Sequence, residues 1–329
     1  MRRVLCLFLV AGFIPVAANA SLNVSIAVFD PGIPGDASLH RDLQVFPKIR
    51  EIESLFLPFV LRESLVRSGQ WGAVRVIPDA DSAAEVLVTG TIVRSDGGAL
   101  EVAIHALDAS GREWIDQTYT SIDGYRLLND DIANDLLHFR STLDDETVSA
   151  ITEISLMRYA RTLAPDAFDG YLDEMSDGTF RLLRLPAETD PMMERIHRIR
   201  GVEYVMTDAI DEKFKELHAE IESVYDVWRE YRQWYYNFKA DEAQRNALRS
   251  NSYESGSYEA LRRAYDDYRM DRLAAQEQDK WIVGFDNEVG PAIERIEARV
   301  AELNGWVEDG YREWSRILGE LFEIETGLD

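Results

Sequence analysis

The sequence contains one cysteine, Cys6, and it lies within the first twenty residues. A chain with one thiol forms no internal disulfide, and the chain beyond residue 20 has no thiolate for metal binding or nucleophilic attack. We therefore expect the folded protein to be stabilised by packing. The histidines are scattered, and none has a partner at the spacing of a zinc site. They are His40, His105, His138, His197 and His218.

Short motifs that commonly carry chemistry are also lacking. The sequence has no G-x-S-x-G elbow, no P-loop and no G-x-G-x-x-G run. Neighbouring acids such as Asp130 and Asp131 are expected by chance among 60 acidic residues, and none has the spacing of a calcium loop. We predict no catalytic residue, no cofactor and no metal ligand, and thus a protein that is not an enzyme. An enzyme whose site forms between domains is the open alternative.

Long apolar runs are lacking after residue 20, where no stretch approaches the roughly 20 residues that a membrane-spanning helix needs. The first twenty residues instead have the pattern of a secretory signal peptide. Two arginines precede an apolar run from Val4 to Ile14, and small residues at positions 18 and 20 fit a cleavage site. We predict cleavage after Ala20, a mature chain that begins at Ser21, and a periplasmic location. An uncleaved anchor is the alternative.

Lipid attachment is not predicted, because Cys6 stands at the start of the apolar run and not at the cleavage point.

Basic residues are few. Lysine and arginine total 35 against 60 acidic residues, and loss of Arg2 and Arg3 with the signal peptide takes the net charge from −25 to −27. Such a surface repels nucleic acid and anionic headgroups, so neither is predicted as a partner. The charge also serves solubility without any partner.

The chain changes character near residue 125, and residues 21–125 predict an α/β domain. A short strand, a helix and a second strand are expected first, followed by three strands in a meander that makes the sheet mostly antiparallel. Gly97-Gly98 and Ser110-Gly111 provide the hairpin turns of this meander. The predicted elements are strand 23–30, helix 48–68, and strands 73–78, 86–94, 99–107 and 112–120.

The runs IAVFD and VLVTGTIV, and above all the stretch from Val86 to Trp114, resemble the small α/β domain of exported bacterial envelope-assembly proteins. Members of this group are the TolB amino-terminal domain, the curli-secretion lipoproteins and the outer-membrane activators of penicillin-binding proteins. The resemblance covers about 100 of the 329 residues and implies a domain that docks other envelope proteins without catalytic residues. This chain lacks their lipid-bearing cysteine, and no β-propeller follows the domain.

Beyond residue 125 the pattern is helical. Residues 126–200 are predicted as a connector of short helices, and Asp190-Pro191 is a helix start. Residues 201–329 carry apolar seams with alternating spacings of four and three, which predict three long helices in an antiparallel, coiled-coil-like bundle. The first seam is Ile210, Phe214, Leu217, Ile221, Val224, Trp228, Tyr231, Tyr235 and Phe238. The middle seam is Tyr258, Leu261, Tyr265 and Tyr268. The last is Val289, Ile293, Ile296, Val300, Leu303, Val307, Gly310, Trp314, Ile317, Leu321 and Ile324.

The aromatic cluster on the first seam is the candidate protein interface, represented by Trp228, Trp234 and Tyr236. Trp234 and Tyr236 lie off the apolar stripe, and exposed aromatic residues are enriched at contact hot spots. The alternative is that they pack against the middle helix or the α/β domain.

The predicted fold class is α+β, with an α/β domain followed by a helical bundle. The predicted function is that of an exported, non-enzymatic binding or scaffold protein of the bacterial cell envelope, which docks a protein partner through the α/β domain. The alternative is an accessory subunit of a secretion or cell-wall assembly machine. The oligomeric state is not predicted.

Overall fold

The computed structural model describes residues 21–187, 189–250 and 289–326, with isolated positions between 262 and 280. The predicted signal peptide, residues 1–20, lies outside the described residues. Among the helices that the structure describes, none has the length and hydropathy of a membrane span.

A five-stranded sheet carries the amino-terminal region, and its order is β2-β1-β3-β4-β5. β1 pairs in parallel with both β2 and β3, whereas β3, β4 and β5 form the predicted antiparallel meander. The predicted α+β class with a mostly antiparallel sheet is confirmed. The strands are β1 Val24–Ala27, β2 Val74–Ile77, β3 Val86–Ser95, β4 Leu100–Asp108 and β5 Glu113–Ser121.

Two helices pack on the inner face of this sheet, and three further helices and a short hairpin complete this region. The helices are α1 Leu39–Asp42, α2 Pro47–Ser68, α3 Tyr125–Ser141, α4 Asp145–Leu163 and α5 Pro165–Phe168, of which α2 and α3 pack on the sheet. The hairpin strands are β6 Leu172–Glu174 and β7 Phe180–Leu182. The expectation of short helices alone between residues 126 and 200 is therefore wrong. This region contains two helices of 17 and 19 residues, followed by a two-stranded hairpin. The hairpin forms because Gly170 and Gly178 adopt positive φ, which allows the chain to turn before β6 and between β6 and β7.

Helix α2 is continuous through Pro58 and ends at Gly69, whose φ of 64° is the left-handed geometry expected of a helix C-terminus. Most of the side chains of α2 are buried, charged ones such as Arg50 and Glu53 included. They are buried because the sheet packs on one side of α2 and the carboxy-terminal helices pack on the other.

Two long helices complete the described residues, α6 Pro191–Ser250 and α7 Gly290–Thr326. They are antiparallel, since Arg299 pairs with Glu220 while Gly310 lies next to Met206. Both pack on α2, and Lys48 at the start of α2 forms an ion pair of 2.7 Å with Glu297. One continuous apolar core runs from the sheet through α2 and α3 to α6 and α7.

The first seam is largely buried from Ile210 to Trp228 and half-buried from Tyr231 to Phe238, and its buried part packs mainly against the α/β region and not within a separate bundle. Phe214 packs on Phe59 of α2 with ring centroids 5.2 Å apart, and Trp228 packs on Phe46 at 6.1 Å. α6 also runs through residue 200, the expected end of the connector, without interruption. The described helices α6 and α7 are therefore part of the same packed body as the sheet.

The buried stripe drifts along each long helix relative to the strict seven-residue pattern. On α7 the predicted Leu321 and Ile324 are exposed, the latter at 78%, whereas Leu318 and Phe322 are buried. A straight α-helix has 3.6 residues per turn, so its buried stripe advances past a 3.5-residue repeat by about 20° per heptad. In the middle seam, Tyr265 and Tyr268 are exposed at 66% and 58%, and its other two residues lie outside the described part of the chain.

Candidate docking site on the sheet

The sheet has one covered face and one open face, which follow from the alternation of its side chains. Leu100, Val102 and Ile104 of β4 point inward and are buried, while the residues between them are half-exposed. The register aligns two rows across the open face. One row is Thr89, His105 and Asp116, and the other is Thr91, Ala103 and Thr118.

A shallow cleft of about 360 Å³ lies on this open face, at the ends of β1 and β2. Asp30, Asp79, His105 and Asp116 line it together with the two threonines of β3. The Thr89 hydroxyl donates to the His105 carbonyl at 3.2 Å, so its proton is already in a hydrogen bond. Among the described residues no group of three or more His, Cys, Asp or Glu has a metal-binding arrangement. The cleft offers hydrogen-bonding groups and negative charge to a ligand.

The two edges of the sheet differ. At β2, charged side chains take the place of a neighbouring strand. Arg62 Nε donates to the Val74 carbonyl at 3.2 Å, and Asp211 of α6 accepts from the Val76 amide at 3.4 Å. Arg62 and Asp211 also pair with each other at 2.6 Å. Arg75 of β2 is held by Asp208 at 2.5 Å. This edge is sealed by α2 and α6.

At the other edge, β5 has a single neighbour, β4, in the part of the chain that the structure describes. In the described residues, the backbone N–H and C=O groups of β5 form hydrogen bonds with the β4 backbone and with no backbone group outside the sheet. β5 begins with a bulge at Trp114, since Ile115 is paired with Ala106 and Glu113 with Leu107, which leaves Trp114 without a partner on β4. From Ile115 to Ser121 the pairing is regular, and this stretch contains neither lysine nor proline. A long, uncovered edge of this kind is a template for pairing with another strand.

Acidic side chains flank β5 on both sides. Asp116 projects from the open face and is exposed, and Asp131 and Asp135 of α3 lie exposed on the inner side. Tyr119 and Gln117 of β5 both donate to Asp135, at 2.7 and 2.9 Å. Burial raises the pKa of Tyr119, and the acceptor carboxylate of Asp135 raises it further. No described lysine or arginine forms an ion pair with any of the three aspartates.

The three predicted interface residues are separated by the fold. Trp228 is 2% exposed and lies in the core, where it stacks on Tyr225 with centroids 5.6 Å apart. This burial removes Trp228 from any outer surface in the described structure. Trp234 is half-buried and stacks on Phe238 at 5.5 Å. Tyr236 is 40% exposed and lies against the β3–β4 turn. Trp234 and Tyr236 remain candidate interface residues.

A buried polar network joins α2, the β3–β4 turn and α6, and no pattern in the sequence indicates it. Glu53 is fully buried, and its Oε1 accepts from the Ser95 hydroxyl and, at 2.6 Å, from the Tyr225 hydroxyl. Arg50 donates to the Ile92 carbonyl at 2.6 Å, and Arg232 of α6 donates to the Asp96 carbonyl at 2.9 Å. Burial raises the pKa of the Glu53 carboxyl, an effect that its two hydroxyl donors and Arg50 oppose. The network fixes α6 on the sheet domain.

Two other clefts lie away from the sheet face. One of about 720 Å³ lies between the β4–β5 turn, α4 and β7, and Arg112 and Arg181 are among its lining residues. The other, of about 560 Å³, lies between α4 and the start of α6, and its polar lining residues are Thr189, Asp190, Glu194 and His197. Neither brings a nucleophile into hydrogen-bond contact with a base in the described residues.

No family model matches this chain, and no curated protein matches it significantly. Four solved chains match, and one of them is from a PelC dodecamer of Paraburkholderia phytofirmans. That match has 17% sequence identity and a TM-score of 0.24, and it covers 36% of this chain and 89% of the PelC chain. A likeness at this level carries no argument about the function of the present protein.

Proposed function

We propose that this chain is an exported, non-enzymatic docking or scaffold protein of the bacterial cell envelope, and that the sheet region is its docking site for a protein partner. The observation that carries the proposal is the difference between the two sheet edges. β2 is sealed by Arg62 and Asp211, whereas the outer edge of β5 has no described backbone hydrogen-bond partner along a regular stretch, although α3 packs on its inner face. Unpaired strand edges favour association, and sealing one edge confines that association to the other.

Export is the second part of the proposal, and it rests on the first twenty residues of the sequence. The direct test is the amino-terminal sequence of the protein recovered from the periplasmic fraction. Ser21 as the first residue supports the proposal, and a chain that keeps residues 1–20 and stays with the membrane contradicts it.

The docking proposal is tested by site-specific photo-crosslinking of the full chain in cells. A benzophenone amino acid replaces Thr118 on β5, and the matched control replaces Asp177 on the exposed β6–β7 turn. We expect a discrete protein adduct from position 118 and none from position 177. Absence of adducts at positions 116, 118 and 120 would overturn the proposal.

The second candidate, an accessory subunit of a secretion or cell-wall assembly machine, is favoured by the far end of α6. No described side chain of α6 beyond Arg232 is buried, although the helix continues to Ser250. This segment, with Trp234 and Tyr236 at its base, offers a second surface for bridging two partners. Co-purification with a membrane complex that depends on both position 118 and residues 233–250 distinguishes this role from simple docking.

A further inference from the structure

The free stretch of β5 has the length and composition that strand addition requires. Seven residues from Ile115 to Ser121 pair regularly with β4 and extend about 23 Å at roughly 3.3 Å per residue. Natural edge strands are commonly shortened, or interrupted by lysine or proline, and this stretch has none of these features. The bulge at Trp114 lies before the stretch and leaves its pairing groups aligned. The outward backbone N–H and C=O groups of this stretch are therefore aligned to form hydrogen bonds with an added strand.

The charges beside β5 select what can be added. Asp116 lies on one side of the strand and Asp131 and Asp135 lie on the other, so both faces of an added strand would meet carboxylates. Side chains of a strand alternate between its faces, and basic residues on either face would therefore be adjacent to an aspartate. A second copy of this chain is disfavoured, since each copy carries a net charge of −25 with residues 1–20 and of −27 without them.

We propose that β5 accepts an extended basic segment of a partner protein as a sixth strand of the sheet. This inference rests on the proposed docking function and names the chemistry of the partner. Backbone hydrogen bonds along Ile115–Ser121 provide affinity, and lysine or arginine side chains beside the three aspartates provide selection. The same aspartates repel acidic strands. They therefore also oppose pairing of β5 with the β5 edge of a second copy of this chain.

The probe is a fluorescein-labelled decapeptide of alternating lysine and valine, added to the full chain. Two peptides serve as controls, one with glutamate in place of lysine and one with proline in place of two central valines. We expect saturable binding of the lysine peptide by anisotropy and weakening of about tenfold for the proline peptide, which loses ladder donors. Hydrogen exchange should show new protection confined to the amides of residues 115–121 and their neighbours on β4.

Charge-reversal variants separate the site from the general acidity of the chain. Asp116→Lys with Asp131→Lys should weaken lysine-peptide binding about tenfold or more, because both carboxylates lie beside the strand. The matched pair, Glu216→Lys with Asp241→Lys, changes net charge equally at exposed positions on α6 and should change binding about twofold or less. Circular dichroism confirms that both variants are folded.

Equal losses of binding in the two pairs of variants, or new protection outside β5 and its neighbours on β4, would overturn the inference, because the peptide would then respond to net charge alone. A concentration-dependent dimer with protected β5 amides would overturn it in favour of a second copy. A crosslink from position 118 without binding of the lysine peptide leaves the docking function intact and refutes the basic segment. Failure of both experiments refutes the docking function itself.

Discussion

His218 on α6 stacks on Phe56 of α2, with ring centroids 4.8 Å apart and 20° between the ring planes. The imidazole is buried, and its Nε2 has no hydrogen-bond partner among the described residues. Burial lowers the pKa of His218, while Glu63 and Glu222 oppose this shift and Arg126 adds to it. The contact between α6 and the sheet domain is therefore built around a neutral histidine.

This stacking predicts that acid weakens the attachment of α6. The pKa of His218 is lower in the folded protein than its ordinary value of 6.5. Below pH 6.5 the unfolded chain therefore binds more protons at this residue than the folded protein does, and stability falls with the pH. The contribution of His218 to stability is thus present above that pH and is lost as the pH falls. Urea unfolding at pH 7 and pH 5.5 measures the loss. His218→Phe keeps a ring on Phe56 and should reduce the dependence, whereas an unchanged dependence would contradict this role.

Glu53 predicts a dependence of opposite sign. Its folded pKa is raised above 4.5, so the folded state binds more protons than the unfolded state, and stability falls as the pH rises from 4.5 towards the folded pKa. Glu53→Gln keeps an oxygen for Ser95 and Tyr225 without a charge, and should be as stable as the wild type or more stable at pH 7. Glu53→Ala leaves both hydroxyls without an acceptor and should cost about 2–4 kcal/mol. Equal effects of the two substitutions in urea unfolding would contradict the assignment.

The β3–β4 turn predicts a steric requirement for glycine where α6 crosses it. A Cβ at Gly97 would lie 2.5 Å from the Cβ of Arg232 and 2.6 Å from its carbonyl carbon. Gly178, with a similar positive φ of 83°, has no atom within 4 Å of a Cβ and serves as the control. Gly178→Ala should cost about 1 kcal/mol of backbone strain, and Gly97→Ala about 2 kcal/mol more through overpacking. Hydrogen exchange of α6 residues 217–236 should accelerate in the Gly97 variant alone.

The burial of Trp228 predicts that two aromatic residues on one helix behave differently. Trp228→Ala removes a core side chain in contact with Phe46 and Tyr225 and should cost about 3–5 kcal/mol. Tyr236→Ala, at a partly exposed position, should cost about 1 kcal/mol or less. Thermal unfolding measures both. A small effect at Trp228 would mean that α6 does not pack on α2 as described.

Local patterns predict the elements well, because alternation and turn residues act over a few positions. The meander from Val86 to Ser121 and the end of α2 at Gly69 follow from such signals. The seven-residue seams identify which face of α6 is buried, but periodicity does not say what covers that face. Phe214 meets Phe59, more than 150 residues earlier in the chain, and no local pattern encodes that pairing.

The candidate site could not be predicted for the same reason. Residues 112–120 are predicted as the last strand of the meander, but the position of this strand at a free edge depends on the parallel pairing of β1 with both β2 and β3. That pairing is non-local, and it places β2 and β5 at opposite edges. Glu53 is equally hidden, because it is buried by α6, and a charged residue on a helix is by default expected to face water.

The sealed edge gives the last prediction, since it should open when its acidic cap is removed. Asp211 accepts from the Val76 amide and pairs with Arg62, which itself donates to the Val74 carbonyl. Asp211→Ala removes the acceptor of the Val76 amide and the ion-pair partner that holds Arg62 on the Val74 carbonyl. The substitution should therefore lower the free energy of unfolding by about 2 kcal/mol or more.

Asp208 provides the matched control, because its carboxylate is 57% exposed and pairs with Arg75 beside the same strand. Asp208→Ala should cost about 1 kcal/mol or less, because the carboxylate that it removes is largely in solvent and Arg75 keeps its contact with the Tyr204 ring. With both edges of the sheet open, the Asp211 variant should also associate in a concentration-dependent manner by light scattering, while the Asp208 variant should not. If the two variants are equally stable and equally monodisperse, β2 does not depend on this cap, and the contrast between the two edges loses its physical basis.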